Sequence, residues 1–288
     1  MSPTKETPAT PVSELKARTR GLQDYLLNND MDGALILQNT DLFYYAGTIQ
    51  QAHLYIPAEG EPLLMARKDY GRARRESTLE QVVAFTSPRQ IPELLADHNL
   101  PFPRRLGMEL DVLPANLYLQ YRKRFKAAQI VDLSHGIRLQ RAIKSPHELA
   151  LMRAAAVLAD RVAGRMAEEL SEGMTEIEAA GRVEAFARRL GHQGFVRMRL
   201  WGSELFYGHL MAGASAAEPS YLASPTGGAA ISPAVAQGPS FNPIDRNQPV
   251  LVDYVFAHQG YLADHTRIYC LGELPVDLAK AQADMVAI

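Results

Sequence analysis

The sequence predicts an α/β domain, a mixed sheet with flanking helices, followed by an α+β domain. Three observations carry that prediction. Short apolar runs alternate with helix-like stretches between residues 33 and 131, the pattern of strands separated by covering helices. Two capping-box signatures then follow, at Ser145/Glu148 and Thr175/Glu178, each opening an apolar-faced helix. Last come two short apolar runs that each end in an aspartate, 249–253 and 260–264. With Gly260 between them they read as a β-hairpin.

The elements of the first domain follow in order. Ser13 is placed to cap a helix with apolar positions Leu15, Leu22, Tyr25 and Leu26, ending near Asn28-Asn29. The wholly apolar run 33–37 reads as a buried strand. Asn39-Thr40-Asp41 makes a turn or cap before Leu42 to Gly47. Strands are predicted at 52–56 and 62–66, joined by a turn in which Gly60 can take positive φ. A basic stretch, 67–76, reads as a solvated helix. Strand, helix, strand, helix and strand are then expected near 81–85, 91–98, 105–110, 115–125 and 129–131. No glycine-rich phosphate loop follows any of these strands. Phe43, Tyr44 and Tyr45 read as core packing, and Arg72, Arg74 and Arg75 as a wet helix face.

Composition narrows the function. A formal net charge of −2 leaves no basic excess for a phosphate backbone, which argues against nucleic acid. A single cysteine, Cys270, permits no internal disulfide and fits a reducing compartment. No apolar run approaches the roughly 18 residues that span a bilayer. The polar, Pro/Thr-rich residues 1–12 read as a disordered tail, and a cytoplasmic location is the default. The boundary between domains is placed at about 140, giving 13–140 and 141–288.

In the second domain, Ser145, Pro146 and Glu148 mark the start of a long helix to about Leu170. Thr175 and Glu178 open a second helix that ends at Gly191. The Gly-, Ser-, Ala- and Pro-rich segment 195–248 reads as a long functional or mobile loop. It carries His209, a candidate for substrate contact or proton transfer as well as for a structural role. Asp253 and Asp264 lie eleven positions apart. Direct pairing across the ladder would put the fold-back at His258-Gln259 and both carboxylates on one face. Like charges so placed repel, and a hard divalent cation between them removes the repulsion. An exposed hairpin with two solvated acids is the alternative.

With these residues in view, the chain resembles the pita-bread metallopeptidase family of Xaa-Pro aminopeptidases, prolidases and creatinases. Residues 15–47, with Asp32-Gly33-Ala34-Leu35 and Asp41 to Gly47, are similar to its creatinase-type N-terminal domain. Residues 141–154 are similar to its interdomain junction, and Val250 to Arg267, ending Asp-x-Thr-Arg, to its metal hairpin. The resemblance implies the first half of a pita-bread catalytic domain, incomplete at the C-terminus. It implies two divalent ions (manganese, cobalt, zinc or iron), with Asp253 a ligand of one and Asp264 bridging both. It implies a metal-activated hydroxide that attacks the amide bond before proline. Thr266 and Arg267 would orient the carboxylates from behind. The implied substrate is a peptide or small amide, with no nucleic acid or membrane partner. A homodimer through the N-terminal domain is common in such proteins.

Two departures follow. The family completes its site with a histidine and two glutamates from later strands, whereas only 24 residues follow Asp264 here, and Glu273 lies too near the hairpin to serve. The catalytic acid/base and the remaining ligands are therefore expected beyond Ile288, and the chain alone is expected to bind metal weakly and be inactive. The place about seventeen residues before Asp253, where peptidase members carry a substrate histidine, falls in Ala234 to Gly238 and holds none. A creatinase-like or other amide or guanidino hydrolase therefore stays open. So does a non-catalytic protein-binding module, as in certain histone chaperone subunits, although the kept aspartate pair argues against it.

Overall fold

A computed structural model describes residues 9–199, 207–222 and 224–288. The first eight residues of the expected tail lie outside the described residues, as do 200–206 and 223 of the long loop. The chain divides into two compact units. One runs through Ser145 and includes Met198 and Arg199; the other holds the rest from Pro146 onward.

The first unit contains α1 (Val12–Asn28), β1 (Gly33–Ile36), α2 (Asn39–Ala46), β2 (Ala52–Pro57), β3 (Leu63–Ala66) and α3 (Tyr70–Glu76). It continues with β4 (Gln81–Ala84), α4 (Ile91–Asp97), β5 (Arg105–Met108), α5 (Ala115–Arg124), β6 (Gln129–Asp132) and α6 (Ser134–Ala142). Its strands form one mixed sheet in the order β4-β3-β2-β1-β5-β6. The pairs β1/β2 and β2/β3 are antiparallel, and the other three are parallel. Residues alternate between two cores, as a period of two requires. Ala34, Ile36, Leu54 and Ile56 pack with Leu22, Leu26, Tyr45 and Ile137, while Leu35, Tyr55 and Met65 pack with Leu95, Tyr121 and Phe125. Both faces are covered, so β1, β2 and β3 are buried throughout.

Two local expectations are corrected. Helix α1 starts at Val12 with Pro11 as its cap residue, not Ser13, because Glu14 N and Leu15 N already donate to Pro11 O at 3.0 and 3.1 Å. Helix α6 was not expected at all. It buries Ser134, Gly136 and Ile137, and at Gly136 a Cβ would lie 2.5 Å from the Tyr25 ring. Glycine at that place lowers helix propensity and hides the helix from a pattern search.

A buried acid network ties the first unit together. Asp41, fully buried, accepts from Arg141 Nη1 and Arg199 Nε, each at 2.7 Å. Arg199 also pairs with Asp111. Glu109 accepts from Leu37 N at 2.9 Å and Gln38 N at 3.2 Å. Burial, then the Asp41 charge, push the Glu109 carboxyl up to about 8, against the pull of these amides and Arg199.

The second unit contains α7 (Pro146–Glu169), α8 (Glu176–Arg189), β7 (Gly208–Ala212), β8 (Val250–His258), β9 (Tyr261–Tyr269) and α9 (Val276–Ala287). Helix α7 opens on Pro146, and Thr175 caps α8 by accepting from Glu178 N at 3.3 Å. The antiparallel sheet β7-β8-β9 packs one face on these helices.

Glu109 yields a signed expectation. Its folded-state value lies above its ordinary one, so it favours folding at low pH and loses that contribution as pH rises from about 4.5 to about 8. Replacing Glu109 with Gln should therefore raise the melting temperature relative to wild type at pH 8.5, with the gain shrinking toward pH 5. Parallel thermal melts across that range check it.

Candidate metal centre

The hairpin geometry starts at its turn. Gln259 and Gly260 have φ of 49° and 84°, both positive as a two-residue type I′ turn requires. His258 therefore pairs with Tyr261, and the ladder runs to Val250 opposite Tyr269. The fold-back is one residue later than direct pairing of the aspartates needs. Asp253 lies opposite Thr266, and Asp264 opposite Val255. The aspartates are diagonal neighbours rather than direct partners. The register differs by two, an even number, so both still share one face.

The other face of β8 is fixed by the core. Val250, Val252, Tyr254 and Phe256 are buried among Val162, Met166, Val183 and Ala187 of α7 and α8. This leaves Asp253 and Val255 on the side away from the helices. Strand β7 adds His209, directly opposite Asp253. The histidine thus lies on a strand, not on the loop expected. Gly208 explains why: its φ is 147°, and a Cβ there would lie 1.9 Å from the Asp253 carbonyl oxygen. Only glycine lets β7 approach this closely. A strand of five residues beginning with that glycine offers little alternation to detect.

The polar contacts follow from the register. Thr266 donates its hydroxyl proton to Asp253 Oδ1 at 2.9 Å. Burial, the Asp253 charge and a hydrogen bond to Asp253 push Asp264 up to about 6. Below that value a proton sits between the two carboxylates, in the place a cation would take. Burial lowers His209, while the Asp253 charge and a hydrogen bond to the Gly227 carbonyl act to raise it. Arg267 does not face the carboxylates. It reaches Asp160 of α7 at 3.4 Å, and its Nη1 donates to the Thr266 carbonyl at 2.8 Å.

Two supporting residues escaped the sequence reading. Asp160 also meets His265 Nδ1 at 3.2 Å, so His265 and Arg267, two positions apart on one face of β9, both engage α7. Glu176, fully buried, accepts from Ala212 N at 2.7 Å and from Ser240 N and Oγ at 2.8 and 2.7 Å. It secures the end of β7. As an acid in the first turn of a helix, nothing in its neighbourhood distinguishes it from an ordinary one.

The carboxylates and the nearby hydroxyl are oxygen donors, the kind a hard divalent cation prefers. Among the described residues no third histidine, cysteine or acid comes close enough to complete a metal site of three such ligands, His209 included. The pair fits a divalent ion as part of a ligand set.

The raised value of Asp264 has a testable sign. The folded chain holds this proton more tightly than the unfolded one, so its contribution to stability is present below about pH 4 and lost as pH rises through about 6. With EDTA present, Asp264→Asn should melt above wild type at pH 7.5 and level with it at pH 3.5. An amide can keep donating to Asp253 where the ionised carboxylate cannot.

Comparison with known proteins places both units. Residues 18–143 match the creatinase/prolidase N-terminal domain, and residues 150–287 match metallopeptidase family M24. The chain is 26% identical over 179 residues to an Xaa-Pro dipeptidase of Pyrococcus furiosus, covering 62% of this chain and 49% of that protein. It is 25% identical over 199 residues to a putative dipeptidase of Bacillus subtilis, covering 65% and 54%. The chain thus spans about half the length of the curated relatives it matches. The prolidase structure from Pyrococcus horikoshii OT3 superposes with a TM-score of 0.73 at 22% identity, over 92% of this chain and 67% of the other. An Xaa-Pro dipeptidase structure from Bacillus anthracis gives 0.75 at 19%, over 92% and 68%. At these identities the structures establish a shared fold. Asp253, Asp264, Thr266 and Arg267 all fall within the M24 segment, and the chain belongs to the M24 metallopeptidase family, with a creatinase/prolidase N-terminal domain ahead of its metallopeptidase domain.

Proposed function

We propose that the whole protein is a metal-dependent hydrolase that cleaves the amide bond before proline, as an Xaa-Pro dipeptidase or aminopeptidase does. The observation that carries this reading is the diagonal Asp253/Asp264 pair on the face of the hairpin turned away from the helices, inside the M24 segment. Asp253 would hold one divalent ion and Asp264 would bridge two. When bound, the ions supply an activated water and polarise the scissile carbonyl. Thr266 fixes the rotamer of Asp253 by donating to Oδ1. His209 lies across the ladder from Asp253 and would contact substrate on that same face. Manganese, a cytoplasmic location and a homodimer belong to the same proposal. With two carboxylates as its share of the ligand set, the 288-residue chain by itself would bind metal weakly and turn over little.

A second reading has one observation in its favour. Residues 234–238 hold no histidine. A small amide or guanidino substrate would then replace the proline peptide at the same metal pair.

The test uses the whole protein loaded with Mn²⁺ or Co²⁺ and a panel of Xaa-Pro dipeptides and longer peptides. Release of the residue before proline is expected. Full metal occupancy with every proline peptide left intact, and creatine-like or other small amides cleaved instead, would select the second reading. Replacing Thr266 with Val should weaken Mn²⁺ binding by about 10–100-fold, read by titration calorimetry, because it removes a partner that orients a ligand.

A further inference from the structure

The first unit carries a groove remote in sequence from the carboxylate pair. It lies between helix α1 and the two short segments at 60–62 and 78–80, with a volume of about 150 Å³. A cavity of about that size binds benzene, and drug-sized ligands need roughly 300 Å³ or more. The space suits a molecule of one amino acid's size.

Its charges are sorted by wall. Lys16 and Arg20, one turn apart on α1, line one side, and Glu61 and Glu80 line the other. Lys16 Nζ and Glu80 Oε1 are already paired at 2.9 Å. Arg20 and Glu61 have no ion pair among the described residues, which leaves one charge of each sign outside a close pair in one groove, with Glu61 in the field of Lys16. The floor is apolar, with Leu15, Pro62 and Leu79 all buried. It contains one polar exception. Thr19 lines the groove, but its hydroxyl is sealed beneath the floor, buried and without a hydrogen-bond partner among the described residues. A helical threonine ordinarily turns that hydroxyl to the carbonyl one turn back.

We propose that this groove binds a single free α-amino acid as its zwitterion. The carboxylate meets Arg20, the ammonium meets Glu61, and a compact aliphatic or ring side chain lies over Leu15, Pro62 and Leu79. Two opposite charges outside close pairs select against ligands carrying only one, since each such ligand leaves a wall unpaired. The rim is exposed to water, so affinity falls in the millimolar range. This site goes beyond the peptidase reading and stands without it.

The test titrates the 288-residue chain, in EDTA to silence the carboxylate pair, with L-proline and L-valine by NMR or calorimetry. Pyrrolidine and isobutylamine carry only the ammonium, and cyclopentanecarboxylate and isovalerate only the carboxylate. The zwitterions should bind at least about 10-fold more tightly than either set. Arg20→Gln and Glu61→Gln should each weaken them by about 10-fold while leaving the melting temperature unchanged, since both side chains sit on the exposed rim. Thr19→Val, whose hydroxyl lies sealed beneath the floor, should leave the affinity unchanged. Equal binding of amine and zwitterion would overturn the proposal, as would affinity untouched by both rim variants or no binding at about 50 mM amino acid.

Discussion

Two carboxylates held on one face of a hairpin are the constraint around which the second unit is built. Like charges at diagonal cross-strand distance repel, and the repulsion grows as water is removed. Only a proton or a cation between them relieves it. Burial and the Asp253 charge push Asp264 up to about 6, so a proton relieves the repulsion below that value. An arrangement that costs stability when empty is kept where something occupies it.

The remaining structure of that unit holds the pair in place. Strand β8 is pressed on the helices by Val252, Tyr254 and Phe256. Strand β9 is tied to α7 by Arg267 and His265 through Asp160, and by Tyr269 Oη donating to Ala163 O at 2.8 Å. Glu176 fixes the end of β7. The carboxylates therefore sit on strands whose opposite face is packed, a more rigid mount than a loop. The first unit shows the same chemistry with a different solution. There Asp41 and Glu109 are buried together, and the cations are built in as Arg141 and Arg199.

Sequence patterns reveal what depends on periodicity and hide what depends on register. The burial of β1 on both faces was legible because its wholly apolar run leaves no solvent face, whereas 52–56 and 62–66 were legible only as strands. The start of α7 at Pro146 and the Thr175 cap of α8 were legible because their chemistry is local. The fold-back was misplaced by one residue, since the choice between His258-Gln259 and Gln259-Gly260 turns on positive φ at both turn positions. Even so, the face assignment survived, because an even register shift preserves it. His209 was found as a residue but not as a strand member. Its place opposite Asp253 depends on the close approach at Gly208, which no one-dimensional pattern encodes. Helix α6 was hidden for the same reason at Gly136.

The central claim is that Asp253 and Asp264 together seat divalent cations. Elemental analysis of the whole protein after Mn²⁺ loading and desalting tests it most directly. The account predicts about two ions per chain, with loss of at least one in Asp264→Asn while the fold is retained. A folded wild-type protein that retains no metal, or a variant that retains as much as wild type, would contradict it.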